Sequence, residues 1–408
     1  MQESKETDIE LKCGQAPTTW IIVYLGMLSA MAPWATDMYL PALPLVGESF
    51  GVPAAMAQLS LGMTMVGIAV GMLFSGPFID CYGRQRPVVL GMLGFGLASL
   101  LCAWTENIYV FLFFRLVQGI AGAFGITGAR AIARDMAEGA HLTRLFALLM
   151  LVNGLAPIVA PVMGGQMLVY SDWRSIFYLL LGIGILLDLT SAFYYRETLT
   201  KENRINNIWA SFQSYKELLK DRYFIGNSLV QSFFFAAFFA YISGSTFVFQ
   251  KIYGLSPQEF SYLFAFIGIL VMIAGVLPAS LAGRIKDESM LRWSLWQAAI
   301  GGFLFLLAIY FHLSFLPVAL ALFVSLPTIS VMGAASFSLA MQANGKRAGS
   351  AAALIGFFSN VAGGFMTPLV GIRGEQDAMP MAIIMFAGEG LALISFYWFI
   401  YGKTGKVK

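Results

Sequence analysis

Twelve apolar stretches, each close to 20 residues long and separated by short polar breaks, constrain this 408-residue chain more than any other feature. A bilayer core about 30 Å thick is crossed by roughly 20 helical residues rising about 1.5 Å each. The stretches lie at 20–41, 58–79, 87–103, 108–129, 145–169, 175–195, 223–249, 261–282, 292–312, 317–340, 349–370 and 380–401. Segments such as Phe177 to Leu187 are apolar on every face, whereas the strands of a closed outer-membrane barrel would alternate in polarity. The expected fold is an all-α integral membrane bundle of 12 transmembrane helices. Only 12% of the chain is charged, against about 25% in a soluble domain, so there is too little polar material to cover a water-soluble globule. Nucleic-acid binding and intrinsic disorder are excluded on the same ground.

The placement of the few charges predicts an orientation. With the N-terminus inside, 21 of the 25 Lys and Arg residues fall in the tails and loops of the inner side. Arg174, Lys251 and Arg373 fall outside, and Arg115 lies within a span. That alternation follows the positive-inside rule at every loop and places both termini in the cytoplasm. Residues 1–19 lack a basic region joined to a cleavage site and are expected to be a retained cytoplasmic tail rather than a signal peptide. Cys13, Cys81 and Cys102 are odd in number and have no metal-type spacing, so neither a disulfide framework nor a metal site is expected.

The longest polar segment, 196–222, separates an N-terminal six-helix half (20–195) from a C-terminal one (223–401), with 402–408 as a cytoplasmic tail. Two halves of nearly equal length joined by a basic linker are the organisation of parallel transporter repeats around a central cavity.

Four motifs carry chemistry. After the second span comes Gly76-Pro77-Phe78-Ile79-Asp80-Cys81-Tyr82-Gly83-Arg84-Gln85-Arg86. Its glycines allow a tight turn, and its acid and two arginines suit an inner-surface latch; Asp80 would complement the positive N-terminal end of another span, such as the eleventh after Lys346-Arg347. The fourth span holds Arg115-x-x-Gln118-Gly119, and an intramembrane arginine costs about 2.5–3.5 kcal/mol unless it meets a partner or water. The fifth span carries Asn153-Gly154 followed by Pro157, Pro161, Gly164 and Gly165, which predicts a bendable helix with a smooth contact face. The first span ends in Asp37-Met38-Tyr39-Leu40-Pro41-Ala42-Leu43-Pro44, with Asp37 about two turns deep if the helix stops near Leu43. At comparable depth, Asp37 and Arg115 are expected to pair across helices. Asp188 in the sixth span and Glu389 in the twelfth are further candidates for proton or cation binding. Phe233, Phe234, Phe235, Phe238, Phe239 and Tyr241 crowd the seventh span; such a run more often meets lipid than ligand, although part of it must line a cleft.

These motifs resemble the major facilitator superfamily. The Gly-Asp-Gly-Arg loop looks like that family's signature between helices 2 and 3, with Cys81 and Phe78 standing where Arg and Leu are common. The fifth-span pattern resembles the motif of its drug:proton antiporters, and the Asp-Met-Tyr-Leu-Pro-Ala-Leu-Pro run resembles the Bcr/CflA branch of bicyclomycin and chloramphenicol resistance transporters.

The resemblance implies a monomeric exporter of small apolar or amphipathic drugs in the bacterial inner membrane, giving antibiotic resistance, with protons as coupling ion and no cofactor. Asp37 and Arg115 are then the proton-coupling residues, and Trp34, Asp37, Gln118, Asn153, Phe235 and Phe239 the expected substrate contacts. The alternative is a facilitator or proton symporter for a small metabolite such as a sugar, which should show more polar span faces. An enzyme needs a nucleophile and base or metal ligands, and the two histidines, His141 and His312, are poorly placed for either.

Overall fold

The computed structural model describes residues 19–403, apart from 138, 201, 203, 205–207, 282–283 and 344–347. The N-terminal tail to residue 18, the Lys346-Arg347 entry to the eleventh span and the last five residues lie outside the described residues.

Among the described residues the apolar stretches are helical, giving 11 membrane-length spans, or 12 with the bent first one. Span 1 is Thr19–Ser29 followed by Met31–Phe50, with a 52° bend. Spans 2 to 6 are Ala54–Tyr82, Gln85–Trp104, Ile108–Met136, Gly139–Tyr170 and Arg174–Leu189, the last extended by a wider π turn, Thr190–Tyr194. Span 7 is Arg222–Phe247 with a second π turn, Val248–Ile252, and span 8 is Pro257–Ala274 with the short helix Leu277–Leu281 beyond it. Span 9 is Asp287–Tyr310, and span 10 is broken into Phe315–Ser325 and Thr328–Ala343. Spans 11 and 12 are Ala348–Val370 and Met379–Phe399. The linker contains one further helix, Ile208–Leu218.

Local chemistry sets the boundaries. Span 4 opens on Asn107, whose side-chain oxygen accepts from the backbone N–H groups of Tyr109 and Val110 at 2.9 and 3.4 Å. Span 8 opens on a Ser256–Glu259 capping box with Pro257 at the first helical position.

Span 1 departs from expectation. Pro41 and Pro44 read as its end, yet each occupies the opening turn of a new helical segment, where a missing N–H costs nothing. The chain therefore winds on to Phe50 and stops at Gly51, whose φ of 63° is the left-handed closure glycine adopts readily. Asp37 consequently sits well inside the span, at the break that follows Thr36, rather than two turns from its end. Span 10 is interrupted for a related reason: Pro327 cannot continue the ladder, and residues 326–327 lie outside both segments.

Within the first half the closest packing joins spans 2, 4, 3 and 6; within the second it joins spans 7, 11, 12, 9 and 10. The halves meet along spans 2 and 11 and along spans 5 and 8. Glycine makes these seams possible. A Cβ on Gly67 of span 2 would strike the Leu116 carbonyl, and one on Gly62 would strike Thr367 and the Gly364 carbonyl across the halves.

The end carrying residues 41–53, 251–256 and 371–378, poor in basic residues, is tied across the halves. Lys251 bridges Glu48 at 2.5 Å, Gln250 donates to the Pro41 carbonyl at 3.3 Å, and Gln58 donates to the Ser243 carbonyl at 3.2 Å. At the opposite, basic end, Tyr215 of the linker helix donates to the Leu73 carbonyl of span 2 at 3.2 Å. Burial, with Asp80 nearby, pushes that phenol up to about 12, so it remains a neutral donor across the physiological range.

Candidate functional site

Asp37 follows the segment Met31–Thr36 directly, and its carboxylate accepts from Thr36 Oγ1 at 2.8 Å. The residue is buried, with 6% of its surface exposed. Tyr241 of span 7, in the other half, lies within electrostatic reach of it and stacks on Phe264 of span 8 with rings 9° from parallel. The acid thus stands where the two halves meet.

Arg115 does not pair with it. The guanidinium, fully buried, donates from Nη1 to the Ala35 carbonyl at 3.0 Å and to Gln118 Oε1 at 2.5 Å. It lies over the Tyr39 ring at 4.6 Å and near Phe177 at 5.5 Å, while Nε and Nη2 make no hydrogen bond. The expected Asp37–Arg115 ion pair is therefore corrected by the geometry. The helical segment ends at Thr36, so the carbonyls of its last turn lack helical partners, and Arg115 satisfies one of them. The Tyr39 ring faces Arg115 of span 4, while the Asp37 carboxyl bonds to Thr36 and lies within electrostatic reach of Tyr241 of span 7. Arg115 holds the segment that carries Asp37 without touching its carboxylate.

The other expected contacts distribute around this break. Gln118 extends the network by donating to Ser99 of span 3 at 2.7 Å. Asn153 of span 5 donates to Ser29 of span 1 at 2.9 Å and to the Leu149 carbonyl at 2.8 Å. Trp34 is buried and its indole N–H has no partner.

In the seventh span the aromatic run is not a lipid face, because 83% of its apolar window is buried inside the protein. Phe235, Phe238 and Phe239 form a mutual ring cluster at 5.7–6.4 Å, and Phe239 packs onto Gly363 of span 11. Phe235 also borders a small, largely apolar crevice against span 10, formed with Val230, Gln231, Phe234, Ile329, Met332, Gly333 and Ser336.

Span 5 is one continuous helix despite Pro157 and Pro161, and it touches both halves. A Cβ on Gly164 would collide with the Met38 carbonyl at the span 1 break, and one on Gly165 with Ser261 of span 8; Gly154 faces Met272. Valine at position 164 must push the break away, an overpacking cost of about 1–3 kcal/mol. Gly164→Val is expected to insert normally but to lose most transport, measured as export rate per inserted molecule.

At the basic end, Arg84 rather than Asp80 is the hub. It donates to Asp135 at 2.7 Å and pairs with Asp80, while Glu197 accepts from the backbone N–H groups of Arg84 and Gln85 at 2.8 and 3.2 Å. Burial opposes the charge, but Asp135 and Asp80 outweigh it and hold the guanidinium above its ordinary value. Gly83 turns with φ of 95° and lies tight against Glu197, whereas Gly76 has open space around it and Arg86 is exposed. Asp135, Glu197 and Gln85, which donates to the Tyr195 carbonyl at 2.8 Å, were not singled out by the motif, since they come from the ends of other spans. Asp188 is half-buried, with one carboxylate oxygen unpartnered. Glu389 is buried between spans 9, 10 and 12.

The sequence profile of the Major Facilitator Superfamily matches residues 25–368. The chain is 37% identical over 385 residues to an uncharacterized MFS-type transporter, YdgK, of Bacillus subtilis (strain 168), covering 94% of this chain and 96% of that protein. It is 30% identical to the bicyclomycin resistance protein homolog of Haemophilus influenzae, covering 94% and 97%, and 27% identical over 65% and 67% to the multidrug resistance protein MdtL of Shewanella oneidensis. Among solved structures, a D-xylose-proton symporter superposes with a TM-score of 0.73 over 95% of this chain and 99% of that one, at 15% identity, a likeness of fold alone. From the profile, the relatives and the helical architecture together, the chain belongs to the major facilitator superfamily, in its Bcr/CflA-type branch of drug transporters.

Proposed function

We propose that this transporter exports small apolar or amphipathic drugs, of the kind exemplified by bicyclomycin and other antibiotics, in exchange for protons. The observation that carries the reading is Asp37: a buried carboxyl on a broken helix, at the meeting of the two halves, with no cation paired to it among the described residues. Such a group has two protonation states with very different solvation demands, so any rearrangement that changes its access to water changes its hold on a proton. Trp34 lies one helical turn before Asp37, and Tyr241, stacked on Phe264, stands within electrostatic reach of it; such aromatic neighbours suit flat or amphipathic ligands better than sugars. The relatives named as bicyclomycin and multidrug resistance proteins support the same substrate class.

The two halves rock about the Asp37 break, and the carboxyl releases its proton as drug binds and regains one before the empty carrier returns. In a bacterial inner membrane with both termini cytoplasmic, the tied end, poor in basic residues, faces outward. On that orientation the carrier is closed on its outer side; we take it to act as a monomer, with protons as coupling ion and no cofactor. Driving one proton through ~150 mV supplies ~3.4 kcal/mol, enough for a gradient of several hundred-fold.

With Asp37 as the carboxyl that trades its proton for drug, exchange of one proton per drug is expected. Export of a neutral drug then moves net charge and should quicken when an inside-negative potential is imposed on proteoliposomes. Export of a monovalent cationic drug should respond only to the pH difference. Voltage-independent export of a neutral drug contradicts the proposed exchange.

A further inference from the structure

A second carboxyl in this chain is more deeply built in than the first. Glu389, in the middle of span 12, is 1% exposed. Ser325 of span 10 donates its hydroxyl to Oε1, and Oε2 has no partner. The carboxylate lies against Gly302 of span 9, where a Cβ would displace it, and Gly301 allows the backbone of Ser325 to approach so closely that a Cβ there would stand 2.6 Å from the Ser325 nitrogen. Two adjacent glycines thus make room for an acid and for the helix end it holds.

That helix end is the break in span 10. Ser325 closes its first segment, Pro327 follows, and Thr328 opens the second while donating its hydroxyl to the Ser325 carbonyl at 2.5 Å. Gln297 of span 9 donates to the Val324 carbonyl at 3.1 Å. Pro327 has no N–H, so the carbonyl four residues earlier, on Phe323, loses its helical donor. The second segment leads straight into Ile329, Met332 and Gly333, which wall the apolar crevice opposite Phe235 of span 7.

We propose that Glu389 is a second proton-binding site of the transporter, and that gain or loss of its proton changes the angle of the break in span 10 and with it the width of the crevice beside span 7. This rests on the proton-coupled reading above. The neutral carboxyl carries an O–H donor, and the break supplies carbonyl acceptors for it. When the O–H bond breaks and the proton passes to water, the carboxylate becomes acceptor only, with sites for about four hydrogen bonds and only the Ser325 hydroxyl and the Gly302 backbone N–H beside it to fill them. The break must then turn further donors toward it or admit water.

Other charges do not compensate it from the neighbouring elements. Span 10 contains no Asp, Glu, Lys, Arg or His; span 12 contains only Glu389; span 9 carries Asp287, Glu288 and Arg292 in its first turns, and span 7 carries Arg222 at its start and Lys251 beyond its end. The remaining titratable groups on these spans are Tyr310 on span 9, Tyr397 on span 12, and Tyr223 and Tyr241 on span 7.

Infrared difference spectra of the full chain in lipid, taken between acid and alkaline pH, test the assignment through the C=O stretch of protonated carboxyl groups. The parent is expected to show two buried components. Asp37→Asn should remove one and Glu389→Gln the other; Ser325→Ala should shift the Glu389 component, and Glu389→Asp should move it without deleting it. In parallel, a cysteine introduced at Ile329, with the native cysteines replaced by serine, should react with a membrane-permeant maleimide at rates that differ several-fold between the two pH values. Glu389→Gln should abolish that difference while Asp37→Asn preserves it. A Glu389→Gln protein that keeps both infrared components, or that keeps the parent's pH dependence of labelling, overturns the proposal and leaves the Asp37 reading standing. A parent with no component removed by Asp37→Asn, but one removed by Glu389→Gln, refutes the Asp37 reading instead.

Discussion

Asp37→Asn is expected to abolish uphill drug export while leaving the protein folded and able to bind drug and exchange it downhill. Asparagine matches aspartate in size, and its side-chain oxygen can still accept the 2.8 Å hydrogen bond from Thr36. Because Asp37 makes no ion pair among the described residues, removing its charge strands no charge there. What disappears is the exchangeable proton. The ~3.4 kcal/mol that one proton contributes at ~150 mV is then unavailable, so a steady-state drug gradient of several hundred-fold should collapse to unity. Everted vesicles, compared with and without an imposed proton gradient, measure that ratio directly. The apparent melting temperature should remain at the parent's value.

Arg115→Lys is expected to have the opposite profile, a large loss of stability with transport lost as a consequence. The guanidinium holds the Ala35 carbonyl and Gln118 while lying flat over Tyr39. A lysine ammonium is a point charge without the planar fork, and cannot make both bonds while stacking. Hydrogen bonds to charged groups are worth about 1.5–3 kcal/mol each, so losing one bond and the ring contact should cost about 3 kcal/mol. The melting temperature of purified protein should fall by several degrees, and export should fall at least tenfold. The contrast decides between two pictures of the site. If Asp37 and Arg115 formed a buried ion pair, Asp37→Asn would strand the guanidinium and be strongly destabilised itself, whereas lysine at position 115 would keep a cation beside Asp37. In the double variant the stability losses should be no greater than that of Arg115→Lys alone.

The sequence reading reached the spans and the charges, and missed their three-dimensional relations. Twelve helices were legible because lipid demands long apolar segments, and the scarcity of charge reduced the candidates to Arg115, Asp37, Asp188 and Glu389. The continuation of span 1 to Phe50 was not legible, since Pro41 and Pro44 read equally as the end of one helix or the first turns of the next. Comparable depth suggested that Asp37 and Arg115 should pair, but depth says nothing of azimuth. The break leaves Asp37 within electrostatic reach of Tyr241 and the Tyr39 ring facing Arg115. The phenylalanine run of span 7 could not be assigned to lipid or interior from composition, because both environments are apolar; only its position among spans 11, 12 and 10 settles the matter. Asp135 and Glu197 completed the Arg84 cluster from more than 50 residues away, a contact that no local motif contains.

Drug binding and proton release are expected to meet at Asp37. The most direct measurement is proton release on adding drug to purified transporter in weakly buffered detergent, followed with a pH-indicating dye for the parent and Asp37→Asn. About one proton is expected to be released per bound drug in the parent and none in Asp37→Asn, with drug binding retained in both. Undiminished proton release from Asp37→Asn would contradict that coupling.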